Sequence, residues 1–217
     1  MRLLVIGDFH VPDRAREIPL ELANAIVTEH RKQPFSFLAC TGDLTKVAII
    51  EPVLNTWAPE KVNVQGNMDY DSRNAIGFPR KVTFDSSRLI KGAPVLTFAM
   101  THGHHVHPRG DHQGLASMAL SLDARAMISG HTHAPDIAIH QDKESGKDVL
   151  LLNPGSATGT WSFVASMKPS FLIVDMGAGD DGLRITITLH EIHETGDRPG
   201  RKAFTWDGER FSRGRKS

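Results

Sequence analysis

The chain is short of the features that most often announce a special class of protein. Among 217 residues there is a single cysteine, Cys40, inside an apolar run, so no disulfide framework can form and a reducing compartment is expected. No apolar stretch approaches the length of a membrane span, and only a brief apolar run precedes Gly7-Asp8, too short for a signal peptide. Charge of one sign is not in excess: 25 Lys and Arg balance 25 Asp and Glu, which gives no global reason to expect nucleic acid or an anionic membrane as partner. A chain near zero net charge tends instead to associate with other proteins. Internal repeats and an interdomain linker are missing too, so one domain is the default at 40% hydrophobic content. The expectation is a cytoplasmic protein whose membrane contact, if any, comes through a partner.

Apolar runs bounded by glycine set the order of elements. Residues 3–6, 35–41 and 61–65 read as buried strands, and residues 19–30 and 47–57 between them carry apolar side chains at helical spacing. This β-α-β-α-β start predicts parallel strands whose carboxyl ends share one sheet edge. From Lys81 onward strands dominate, at 82–84, 95–100 and 126–129, with a helix at 114–122. Residues 136–140 and 149–152 predict a hairpin, and 170–175 and 183–192 another around a turn at 177–182. The whole predicts a four-layer α/β/β/α sandwich of two mixed sheets, one domain over 1–194. Residues 195–217, with seven Lys or Arg against three acids, read as a loosely held basic tail, although Phe204, Trp206 and Phe211 offer anchors.

Seven potential metal ligands lie at the ends of those strands: Asp8, His10, Asp43, Asn67, His102, His131 and His133. Asp8-x-His10 puts a carboxylate and an imidazole on one side of extended chain, and His131-x-His133 repeats this with two imidazoles. Any one of them alone would be an ordinary turn former or surface residue. Their recurrence in order at successive strand ends points to a pair of divalent ions, with Asp43 placed to bridge them through its two oxygens. Such mixtures of imidazole, carboxylate and amide oxygen accept zinc, manganese or iron. His104 is the candidate phosphate contact. The neighbouring His105, His107 and His112 read as peripheral, and His30, His140, His190 and His193 have no partner pattern.

The segments Gly7-Asp8-Phe9-His10, Thr41-Gly42-Asp43, Gly66-Asn67-Met68-Asp69, Thr101-His102-Gly103-His104 and Gly130-His131-Thr132-His133 resemble those of the calcineurin-like metallophosphoesterases. The resemblance runs to about Ile192. It implies one ion held by Asp8, His10, Asp43 and His133, a second held by Asp43, Asn67, His102 and His131, and phosphoester hydrolysis assisted by both. Asn153-Pro154-Gly155-Ser156-Ala157-Thr158-Gly159 and Pro108-Arg109-Gly110-Asp111 further resemble the branch that serves as small subunit of retromer, the endosomal cargo-recycling coat. That implies a metal-binding scaffold with weak or no hydrolase activity in endosome-to-Golgi or vacuolar sorting. Its implied partners are a large helical-solenoid subunit and regulatory proteins, and its implied place the endosomal membrane through the complex. The chain departs from that branch at His107 and Arg109, where larger apolar residues are usual, and in carrying Asp43 and Asn67, the choices of active enzymes. Met68 stands where many vigorous members have a proton-donating histidine. Two readings therefore stand: a sorting scaffold, and a two-metal phosphodiesterase acting on a small substrate.

Overall fold

The computed structural model describes residues 1–69, 77–88 and 90–214. β1 (Arg2–Ile6) is buried along its whole length, as its unbroken Leu-Leu-Val-Ile run requires. Alternation splits that run between two cores. Leu3 and Val5 face the space between the sheets, while Leu4 and Ile6 pack under α1 (Leu20–Lys32) and α2 (Val47–Trp57). β2 (Phe37–Cys40) and β3 (Lys61–Asn63) follow in parallel, which completes the expected opening.

The second sheet begins with β4 (Lys81–Asp85) and β5 (Thr97–Thr101), continues through β6 (Ala126–Ile128), and closes with the hairpin β7 (Asp136–Gln141) and β8 (Asp148–Asn153). Its order is β4-β5-β6-β8-β7, with β5, β6 and β8 parallel. Phe98, Met100, Ile128 and Leu150 meet the first sheet. Ala99, Met127, Val149 and Leu151 on the opposite face pack on α3 (His112–Ser121), whose N-terminus is capped by Asp111 accepting from the Gly114 N–H at 2.8 Å. Three apolar interfaces thus separate four layers, the sandwich expected from the sequence.

The first sheet grows on its other side by β9 (Ser170–Gly179), β10 (Gly182–His193), β11 (Gly196–Trp206) and β12 (Phe211–Arg213), giving the order β12-β11-β10-β9-β1-β2-β3. Two expectations need correction here. The turn between β9 and β10 is narrower than 177–182, because pairing persists to Gly182 opposite Gly179 and leaves only Asp180-Asp181 to reverse the chain. The supposed loose tail from 195 is sheet as far as 213. β11 pairs with β10 from His193 opposite Gly196 to Leu183 opposite Trp206, and Phe204, Trp206 and Phe211 are buried in the core between the sheets. Those three apolar anchors outweigh the basic composition. Residues 215–217 of that segment lie outside the described residues.

Candidate metal centre

Every candidate ligand follows a strand of the parallel parts of the two sheets, so the strands' carboxyl ends deliver them to one edge. Asp8 and His10 follow β1, Asp43 follows β2, Asn67 follows β3, His102 follows β5, and His131 and His133 follow β6. Backbone bonds stitch these loops together: the Asp8 and His10 N–H groups donate to the Gly42 and Asp43 carbonyls at 2.9 Å, and the Gly130 N–H to the His102 carbonyl at 3.0 Å. The two sheets meet where His131 N–H donates to Asp8 Oδ2 at 3.0 Å and His102 Nδ1 to the Thr41 carbonyl at 2.8 Å.

Close approach dictates the glycines. A Cβ on Gly66 would run into the Asp43 carboxylate, and one on Gly130 would lie 2.6 Å from Asp8 Oδ2. Backbone strain also collects here. Of eight non-glycine residues with left-handed φ among the described residues, five are candidate ligands: Asp8, His10, Asp43, His131 and His133. Such conformations cost on the order of 1 kcal/mol each and persist only where surrounding contacts or a ligand hold them.

The donor atoms converge as acceptors on acceptors. A carbonyl cannot donate, so His102 Nδ1 carries the proton toward Thr41 and turns its Nε2 inward, 3.3 Å from Asp43 Oδ2 and 3.1 Å from Asn67 Oδ1. His133 is fixed in the same way by the Thr160 carbonyl at 2.8 Å, which leaves its Nε2 3.2 Å from Asp8 Oδ1 and 3.0 Å from His10 Nε2. Among the described residues Asp8 Oδ1 is buried without a hydrogen-bond partner. Lone pairs aimed at one another repel unless a proton or a cation sits among them, so this donor set fits divalent ions. Donor atoms of Asp8, His10 and His133 lie within 4.8 Å of one another, and so do those of Asp8, Asp43 and His102. Asp43 Oδ2 also stands 3.5 Å from His10 Nε2, between one imidazole of each group. Asn67 is at the exposed rim, and the half-buried His131 ring lies 5.1 Å from that of His102. All seven residues are therefore gathered, though Asp8 belongs to both clusters where the resemblance implied only the first.

Charge follows geometry. Burial would lower the His102 pKa, but Asp43 beside it wins and raises it to about 9. Burial likewise works to raise Asp43, and His102 and His10 hold its carboxyl far below the usual range instead. At His10 burial prevails over the attraction of Asp43 and Asp8 and brings the imidazole to about 4; at His131 burial, aided by His102 and Arg109, brings it to about 3. His10 and His131 are thus neutral imidazoles at neutral pH, the form that metal binding demands.

Several further residues support the candidate ligands without being among them. Asp69 is buried and accepts from the N–H groups of Asp43, Gly66 and Thr45 at 2.8 to 3.0 Å, so it braces two ligand loops rather than moving protons. Its position two residues after Asn67 was the only hint. Asn153 donates to the Gly130 carbonyl and Thr132 Oγ1, and Ser156 Oγ to the Asp8 carbonyl at 2.7 Å, which gives the Asn-Pro-Gly-Ser stretch its structural role. His104 is half-buried, its ring 5.5 Å from that of His102 and 6.3 Å from that of His131. His112 and His190 pair with Asp136 and Asp197, each at 2.7 Å, outside both donor clusters.

Strand-end carboxylates and imidazoles shared between two packed sheets define a metal-binding protein of the phosphoesterase kind. The chain belongs to the calcineurin-like phosphoesterase superfamily, whose domain profile matches residues 1–179. A Methanothermobacter thermautotrophicus protein described as a "Probable metallophosphoesterase" is 39% identical over 158 residues, 73% of this chain and 78% of its own length. Vps29 of Entamoeba histolytica, solved with zinc, has a TM-score of 0.73 at 28% identity, over 94% of this chain and 99% of that one. Vps29 of Cryptosporidium parvum shares the fold with a TM-score of 0.77 at 22% identity, over 94% of this chain and 98% of its own.

Proposed function

We propose that the chain is a two-metal phosphodiesterase acting on small diesters. The observation that supports this reading is the convergence of donor atoms of Asp8, His10, Asp43, His102 and His133 on one strained pocket, with Asn67 and the His131 ring beside His102. Bound divalent ions would supply Lewis-acid activation of water and neutralise charge on the phosphoryl group. Asp8 and Asp43 would offset the ions' charge, and the tautomers of His102 and His133 are set by the carbonyls of Thr41 and Thr160. His104 has its pKa lowered by burial and by His102, so it is a neutral imidazole suited to contact a phosphate oxygen. Hydrolysis forms one P–O bond to the oxygen of water and breaks one ester P–O bond. The water loses a proton to solvent, and the leaving alkoxide takes one up. Met68, whose N–H is spent on Asp43 Oδ1 at 2.7 Å, has no side-chain proton to offer. General acid help is typically worth about 10²–10⁴-fold, so turnover is confined to diesters with good leaving groups.

The test is hydrolysis of bis(p-nitrophenyl) phosphate with added manganese. The wild-type chain should turn it over, and Asp43→Ala, with unchanged circular dichroism, should lose at least about 10²-fold. Equal rates for the two proteins would rule the reading out.

A second reading is favoured by the likeness to Vps29 over 94% of the chain. In it the chain is a retromer-type scaffold, bound to a large helical-solenoid subunit and regulators on the cytoplasmic face of endosomes. Co-isolation with such a subunit, undiminished by Asp43→Ala, would favour the scaffold over the enzyme.

A further inference from the structure

Four of the seven large hydrophobic side chains exposed among the described residues lie within one short loop: Trp161, Phe163, Val164 and Met167. Scattered exposed apolar residues are ordinary, but a cluster on one loop marks a contact surface. This loop is wired to the candidate metal centre. Thr160, the residue before Trp161, offers the carbonyl that fixes His133. Ser162 Oγ donates to the Thr132 carbonyl at 2.6 Å, and Ser166 N–H to the His133 carbonyl at 3.1 Å. Left-handed Gly159 and Met167 mark its two ends. The aromatic pair is thus held against the His131–His133 segment rather than free to swing.

The chemistry of the surface is also specific. The Trp161 and Phe163 rings pack edge to face with centroids 4.9 Å apart. The Arg109 guanidinium lies 5.8 Å over the Phe163 ring and donates to the His131 carbonyl at 2.8 Å, so it bridges the metal-ligand loop and the aromatic wall. Arg14 donates to the Trp161 carbonyl at 3.4 Å. An exposed edge-to-face aromatic pair with a guanidinium over one ring, joined to the loop of the candidate ligands His131 and His133, suits an anion that carries a planar ring.

We propose that Trp161 and Phe163, with Arg109, form a stacking platform for the nucleobase of a nucleotide-type phosphodiester. The assignment rests on the phosphodiesterase reading and deepens it to a substrate class. A stacked base gains attraction from each ring regardless of base identity, so the platform selects for a base and not for its sequence.

Two of the three tryptophans are buried, Trp57 at 4% and Trp206 at 2% exposure, against 57% for Trp161. Intrinsic fluorescence of the full manganese-loaded chain therefore reports on the platform directly. Adenosine 5′-monophosphate should quench it saturably, whereas ribose 5-phosphate, which has the phosphate but no base, should not. Phe163→Ala should weaken adenosine monophosphate by about tenfold, the loss of one stacking partner, and leave inhibition of hydrolysis by ribose 5-phosphate unchanged. Equal binding of the two phosphates, or no effect of Phe163→Ala, overturns the proposal. So does a result in which alanine at 161 and 163 abolishes capture of a protein partner and leaves nucleotide binding intact. Base-dependent quenching without any diester hydrolysis would sink the phosphodiesterase reading alone, and hydrolysis without base dependence would sink the platform alone.

Discussion

At His102 a proton and the proposed metal ion would compete for one nitrogen. The neighbouring Asp43 carboxylate overcomes burial and raises this imidazole to about 9, while Asp43 itself is held below the usual range by His102 and His10. In the metal-free protein the raised group contributes stability that is complete below its ordinary value of 6.5 and fades as pH climbs through about 9. The depressed carboxyl contributes stability that is present above its ordinary value of 3.8 and lost as pH falls toward its lower folded value. The pair is therefore strongest between those two ordinary values. Binding a cation must expel the His102 proton, whereas His10 at about 4 and His131 at about 3 have none to lose near neutrality. Titration calorimetry with manganese at about pH 7.5, in buffers of different ionisation enthalpy, should register net proton release from His102 and from His133, whose imidazole Asp8 also raises. No release at that pH would mean that His102 is not a ligand.

Among elements, the contrast between β1 and β11 shows which parts of the fold the sequence makes readable. In β1 every residue from Leu3 to Ile6 is apolar and buried, so the run could only be a central strand. Candidate ligands directly after such runs were readable for the same reason, since a polar group just past a buried strand stands out. In β11 the first seven residues are exposed and partly basic, and burial alternates only from Ala203 to Trp206. Composition therefore suggested a solvated tail, although the pairing partner β10 was correctly expected. Asp69 was unreadable because its three partners are backbone N–H groups, which leave no pattern in side-chain identity. The exposed aromatic loop was hidden differently: Trp161 and Phe163 look like core residues until their surroundings are known. The structural weight of the added hairpin can be measured at Trp206. Its Nε1 donates to the Val95 carbonyl at 3.2 Å, its ring packs 4.6 Å from that of Phe211, and Arg125 lies 4.9 Å above it. Trp206→Ala should lower unfolding free energy in urea by about 3–5 kcal/mol while metal uptake is retained, because β11 lies beyond β9 and β10 from the ligand-bearing strands. A loss under about 1 kcal/mol would return the segment to a loose tail.

For the molecule as a whole, the candidate centre is where the two sheets are joined by polar groups rather than by oil. The seven-stranded sheet supplies Asp8, His10, Asp43 and Asn67, and the five-stranded sheet supplies His102, His131 and His133. Each donor cluster draws on both: Asp8 and His10 meet His133, and Asp8 and Asp43 meet His102. On the proposed reading, metal binding and the relative placement of the sheets depend on the same side chains, which accounts for left-handed backbone at so many of them. Anomalous diffraction from crystals grown with manganese tests this most directly. Two peaks should appear, one among Asp8, His10, Asp43 and His133 and one among Asp43, Asn67, His102 and His131. An absence of peaks there, or ions held by residues of one sheet only, would contradict the account.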